Sequence, residues 1–114
     1  MAGLAYALVN RLNLTDVTLK TTAGDVVMVN EAVVVVNKGA GAATQVTLPP
    51  DAGNSGMFPM VFVVDGKGDA STHNITVVPS GTDTINGGSS HVINSNYGCS
   101  GFFWDGSQWV VLFG

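Results

Sequence analysis

Few residues in this chain have the chemistry to act on a substrate. The histidines are His73 and His91, and the one cysteine is Cys99. None of them has the paired spacing of a zinc site. One thiol rules out an intrachain disulfide, and Cys99 reads as a small, partly buried hydrophobe. The stretch DGKGDAST sets Asp65 and Asp69 around two glycines. Calcium loops carry more carboxylates, with a further acidic ligand downstream. A turn needs the same residues, since glycine takes positive φ and aspartate caps turns with its side chain. A turn is therefore the expectation. GCSG, ending at Gly101, holds Cys99 and Ser100, but the sequence places no base beside them. There is no Gly-x-Ser-x-Gly elbow, and Gly39-Ala40-Gly41 is not followed by the Gly-Lys-Ser/Thr of a phosphate loop. Most of the eight acids fall in turn-like stretches, not as a pair across a cleft. The expectation is a non-enzyme with no catalytic residue, cofactor or metal.

The remaining chemistry is aromatic. Tyr97, Phe102, Phe103, Trp104 and Trp109 cluster near the C-terminus. Buried, they would form core or subunit interface; exposed, they could stack on sugar rings. Tyr97, Trp104 and Trp109 are the candidate glycan contacts under that second reading.

The chain has 114 residues, enough for one domain with its own core. It is 46% hydrophobic and only 11% charged, well under the usual quarter for globular domains. So neutral a surface tends to associate, which points to protein partners. The net charge is −4, and the four basic residues (Arg11, Lys20, Lys38 and Lys67) are scattered. Nucleic acid requires a basic patch, so it is not an expected partner. No apolar run reaches the ~18 residues of a membrane-spanning helix, and the start lacks the basic leader and cleavage site of a signal peptide. Synthesis in a cytoplasm is expected.

Two regions would position these groups. Within residues 1–13, Leu4, Leu8 and Leu12 recur every fourth residue beside Val9. That spacing fits an N-terminal arm or short amphipathic helix, too short to be stable without a surface to dock on. Residues 14–114 read as a single β domain. Short apolar-bearing segments alternate with turn signals about every ten residues, the pattern of an all-β fold. Val17 and Leu19 alternate with Thr18 and Lys20, Val46 and Leu48 with Gln45 and Thr47, and Ile75 and Val77 with Thr76 and Val78. The unbroken run Val33, Val34, Val35, Val36 implies burial on both faces, in a core or at a subunit interface. TINGGSSHVI reads as a turn at Gly87-Gly88 between core positions Ile85 and Val92. Asp105-Gly106 marks a hairpin whose loop is two or four residues long.

Several motifs occur in a telling order. NITVVP runs from Asn74 to Pro79, GTDTING from Gly81 to Gly87, and WDGSQW from Trp104 to Trp109, after an apolar strand and a VTLP strand. Between Val26 and Phe113 the chain resembles a β-module recurrent in virion proteins of tailed bacteriophages. Order and spacing carry the likeness, since no one motif is specific. The resemblance implies a compact antiparallel β-sandwich or barrel-like domain, in many cases trimeric. It implies a capsid decoration (cement) or head-fibre protein on the capsid surface of a virion. The partners would be copies of itself and the major capsid protein. The arm residues Leu4, Leu8, Val9 and Leu12 and the strand Val33–Val36 are the expected contacts. The alternative is a tail fibre or spike module that binds host glycans.

Overall fold

The first six strands of this chain alternate between two sheets. A computed structural model describes residues 17–29, 31–50 and 60–114. Within them lie β1 (Val17–Lys20), β2 (Val26–Val27), β3 (Val33–Val36), β4 (Thr44–Thr47), β5 (Met60–Asp65), β6 (Ile75–Val78), β7 (His91–Ile93), β8 (Cys99–Trp104) and β9 (Trp109–Phe113). One sheet has the order β1-β3-β5-β8-β9, the other β2-β4-β6-β7. The all-β expectation holds, and no helix occurs among the described residues. The expected arm, with Leu4, Leu8, Val9 and Leu12, lies outside them.

The antiparallel expectation is corrected. β1, β3 and β5 run parallel in one sheet, as do β2, β4 and β6 in the other. The chain therefore coils through both sheets three times before it reverses. The cause is local. After β1 it does not fold back beside itself. It turns through Gly24, at φ 105°, and enters the opposite sheet. Backbone bonds continue the parallel stacking round the corners: Asn37 donates to the Lys20 carbonyl (2.8 Å), Gly39 to Thr21 (3.0 Å) and Gly66 to Val36 (2.8 Å). Val17 stands beside Val33, and Val33 beside Phe62, so the second coil is nearly twice the first. That inequality hides the coiling from any search for a fixed repeat.

The last strands are antiparallel. β7 returns along β6, and β8 and β9 close the five-stranded sheet. The β8–β9 pair sets Trp104 opposite Trp109, so the hairpin loop has four residues. Asp105 organises it. Its Oδ1 accepts the backbone N–H of Ser107 (2.8 Å) and Gln108 (2.9 Å). These bonds, that from Gln108 foremost, hold its carboxyl below the usual carboxylate range.

In TINGGSSHVI the turn centres one residue earlier than expected. Ile85 and Gly88 exchange backbone bonds of 2.9 and 2.8 Å. Asn86 (φ 50°) and Gly87 (φ 77°) are the two central residues. Positive φ at both is the tight hairpin turn that asparagine–glycine favours. The turn docks on the free side of β9. Trp109 donates to the Thr84 carbonyl and Asn86 to the Trp109 carbonyl, both at 2.9 Å. Gln108 Oε1 accepts from Thr84 Oγ1 (3.1 Å) and from the Gly87 N–H (2.7 Å). A neutral, glycine-rich segment suits this place because its backbone, with the Asn86 Oδ1 that accepts the Val111 N–H (3.1 Å), covers a sheet edge.

The core lies between the sheets. Val34, Val36, Val61, Val63, Phe102 and Trp109 face Val26, Val46, Ile75, Val77 and Ile93, with Met28, Leu48 and Ile85 filling the ends. The alternations expected for Val46 and Leu48, and for Ile75 and Val77, hold. Two core expectations do not. Val92 is 40% exposed, and its neighbour Ile93 takes the core place. The run Val33–Val36 is not buried evenly: Val34 and Val36 are in the core, while Val33 and Val35 are half-buried on the other face.

Candidate functional site

The outer face of the five-stranded sheet is the most distinctive surface among the described residues. Side chains alternate across a sheet with period two. In β5, Val61, Val63 and Asp65 point inward and Met60, Phe62 and Val64 outward. The registers carry that assignment across the sheet. Val33 and Val35 lie beside Phe62 and Val64, and Val17 and Leu19 beside Val33 and Val35. On the other side Phe103, Gly101 and Cys99 lie opposite Met60, Phe62 and Val64. Val110 pairs with Phe103 and Phe113 with Gly101. Every outward side chain of these five strands is apolar or is the Cys99 thiol.

β1 shows how far the sequence goes to keep this face apolar. Its apolar residues are the exposed ones, Val17 at 50% and Leu19 at 58%. Its polar residues turn toward the inner side, where Thr18 Oγ1 bonds Glu31 (3.3 Å) and Lys20 Nζ bonds the Ala23 carbonyl (3.0 Å). The alternation in β1 is as expected, but it is set to the opposite face from a solvated edge strand. At the far edge a register shift lies between Gly101 and Phe102 on β8. It swings Phe113 over Gly101, where a Cβ would stand 2.7 Å from the ring. Phe113 also packs on Phe62, with ring centroids 6.1 Å apart. The second sheet is different: its outer face mixes Gln45, Thr47 and Thr76 with Val27, Val78 and Val92.

The aspartates of the DGKGDAST stretch are engaged in hydrogen bonds within the fold. Asp65, 1% exposed, ends β5. Its Oδ1 accepts the Gly68 N–H (3.0 Å), and its Oδ2 accepts those of Ala70 (2.9 Å) and Tyr97 (3.0 Å). Asp69 Oδ2 lies 3.0 Å from His73 Nδ1. The DGKGDAST stretch is thus the turn expected of it, with Asp65 as its cap. No group of three or more His, Cys, Asp or Glu side chains converges as metal ligands among the described residues.

One pairing escaped the sequence reading. His91 Nε2 lies 3.0 Å from Ser100 Oγ, so Ser100 does have an imidazole beside it. The residues are nine apart, on β7 and β8, and only the meeting of the two sheets brings them together. The His91 ring also stands edge-on to Phe102, centroids 5.6 Å apart. Ser100 is 1% exposed and is one of the residues that line the adjacent cleft. The bond serves to fasten one sheet to the other. A cleft of about 150 Å³ opens beside it, lined by Val92, Asn94, Ser95, Gly98, Cys99 and Gly114 among others. Burial pushes the Cys99 thiol pKa up, away from the reactive thiolate.

The three aromatic candidates part company. Trp109 is fully buried and cannot touch a glycan; it packs edge-on against half-buried Trp104, centroids 5.6 Å apart. Trp109 belonged on the inner face because it pairs with Trp104 across the hairpin, a register the sequence left open. Tyr97 is 70% exposed. It holds φ at 58°, rare for a bulky residue. Asp65 fixes its N–H, and its ring lies against Gly68, where a Cβ would meet it at 2.3 Å. Of the expected interface residues, Val33 and Val35 lie on the apolar outer face. Val34 and Val36 are core residues, a correction that follows from strand alternation. Leu4, Leu8, Val9 and Leu12 lie outside the described residues. In comparison with known proteins, no family model and no curated protein matches this chain.

Proposed function

We propose that this chain is a structural virion protein of a tailed bacteriophage. It acts as a capsid decoration (cement) or head-fibre protein, works without catalysis, and assembles as a homotrimer on the major capsid protein. The apolar outer face of the five-stranded sheet carries this reading. Folded chains rarely leave so continuous an apolar surface in water, and such surfaces mark interaction sites. The order of the NITVVP, GTDTING and WDGSQW segments supports the phage setting. Two of them form strand β6 and the β8–β9 hairpin, and the third includes the turn that docks on β9.

Shell binding is assigned to residues 1–13. Their removal is expected to abolish co-sedimentation with empty shells while leaving the circular dichroism of the domain unchanged; undiminished binding would refute the assignment. The function itself is tested by copy number in purified particles, by quantitative mass spectrometry against the major capsid protein. A ratio near one, or a simple fraction set by the symmetry axes of the shell, is the expected result. A handful of copies per particle would place the chain in the tail instead.

Tyr97 favours a second reading, a tail fibre or spike module that binds host glycans. An exposed ring held in one orientation is a sugar-stacking platform, with half-buried Trp104 as the other aromatic available. Under that reading Tyr97→Ala removes glycan-array binding without loss of fold. Equal binding by the variant eliminates Tyr97 as the platform.

A further inference from the structure

We infer that the outer face of the β1-β3-β5-β8-β9 sheet packs against the same face of other copies of this chain. The inference rests on the assembly reading above and names the partner of its apolar face.

Three observations select another copy. The first is charge. The chain has twelve formally charged side chains, four basic and eight acidic, and none lies among the outward residues of these five strands. Recognition of an unlike partner draws on charge complementarity for register and specificity. A neutral face offers none, but it is complementary to itself. Sheets with apolar faces stack about 10 Å apart, as in a β-sandwich.

The second is extent. Five strands about 4.8 Å apart and four to six residues long give a face roughly 20 Å wide and 15–20 Å long. Meeting about a threefold axis, three such faces, each shared between its two neighbours, bury on the order of 1,500 Å² in all, within the range of specific interfaces. The third is breadth. A single helix from residues 1–13 would be about 20 Å long but only ~10 Å across, and would cover half of the face. The exposed apolar residues reach both of its edges. Leu19 is 58% exposed at the β1 edge, and Phe113 is 48% exposed at the end of β9.

Cys99 supplies an internal reporter. It is the chain's one cysteine and lies on this face, opposite Val64. The test uses the full-length protein, with sedimentation equilibrium and the rate of maleimide labelling at Cys99. The wild type is expected to be oligomeric at ~10 μM, with labelling that speeds up on dilution. The double substitution Leu19→Lys with Phe113→Lys places one charge at each end of the face. Both positions are about half exposed, so the fold tolerates lysine there, as unchanged circular dichroism should show. Association is expected to weaken about 100-fold, because each buried lysine must lose its water without a partner, and Cys99 labelling to accelerate about tenfold or more. A wild type that remains monomeric at ~100 μM overturns the inference. So does an oligomer whose association and Cys99 protection survive the double substitution. Shell binding is read separately. A monomer that still binds shells overturns the self-packing face alone. An oligomer dispersed by the double substitution that never binds shells keeps the face and removes the capsid reading.

Discussion

Replacing Asp65 with alanine is expected to cost about 3–5 kcal/mol, enough to leave much of the protein unfolded if its stability is at the low end for a small domain. The carboxylate caps β5 and gathers three backbone donors from two loops, Gly68 and Ala70 on one side and Tyr97 on the other. Ala70 is fully buried, so its N–H cannot turn to water once the acceptor is gone. A buried donor left without a partner costs its full desolvation penalty, and bonds to a charged acceptor are the stronger kind. The Gly68 and Tyr97 groups are nearer the surface and recover part of their loss through hydration. Asp65→Asn separates the contributions. One oxygen can still accept from Ala70 and Tyr97, but the amide nitrogen then meets the Gly68 N–H donor to donor. Its loss should fall between alanine and wild type. Urea denaturation followed by circular dichroism measures both. A loss below about 1 kcal/mol for alanine would mean that the two loops are held by something other than this carboxylate.

The second large effect is expected at Trp109. Trp109→Ala should lose about 3–5 kcal/mol, the range for emptying a fully buried aromatic site. Trp109 joins three parts of the fold. Its backbone bonds Thr84 and Asn86 of the edge turn, its ring packs on Trp104, and its side chain fills the core beside Ile85. Its indole N–H is buried with no hydrogen-bond partner. That group subtracts from the stability the ring contributes. Trp109→Phe discards the orphaned donor and keeps most of the apolar volume, so it should cost far less than alanine, within about 1–2 kcal/mol of wild type. Equal losses for the two variants would show that the retained ring volume does not stabilise the site and that the indole N–H contributes instead of costing stability.

These sites differ from the proposed interface in the kind of damage they predict. Asp65 and Trp109 hold the domain together, and their loss lowers stability. Leu19 and Phe113 lie where solvent reaches them in the single chain, and charging them should change association while sparing the fold. Sedimentation and denaturation therefore report on separate parts of the molecule.

Local chemistry made much of the secondary structure legible from sequence. Alternation of β-branched and polar residues marked β1, β4 and β6, because a strand half-buried on one face selects residues with period two. Asp105-Gly106 marked the final hairpin and the glycines of TINGGSSHVI a tight turn, although the turn was expected at Gly87-Gly88 and centres on Asn86-Gly87. Scarcity of charge pointed to a surface with partners. The remaining features depended on distance in space. A period-two pattern states which residues share a face, never which way that face points, so β1 and the valine run Val33–Val36 could be assigned only once their neighbours were in place. Strand direction was equally hidden. A corner such as that at Gly24 leads to an adjacent strand or to the opposite sheet with the same few residues, and only the shared core selects the second. The pairing of His91 with Ser100 and the continuous apolar face both arise where strands far apart in sequence become neighbours. The sequence alone determined which residues alternate and where the chain turns; tertiary packing decided parallel against antiparallel, inside against outside, because both are properties of neighbouring strands and not of any one segment.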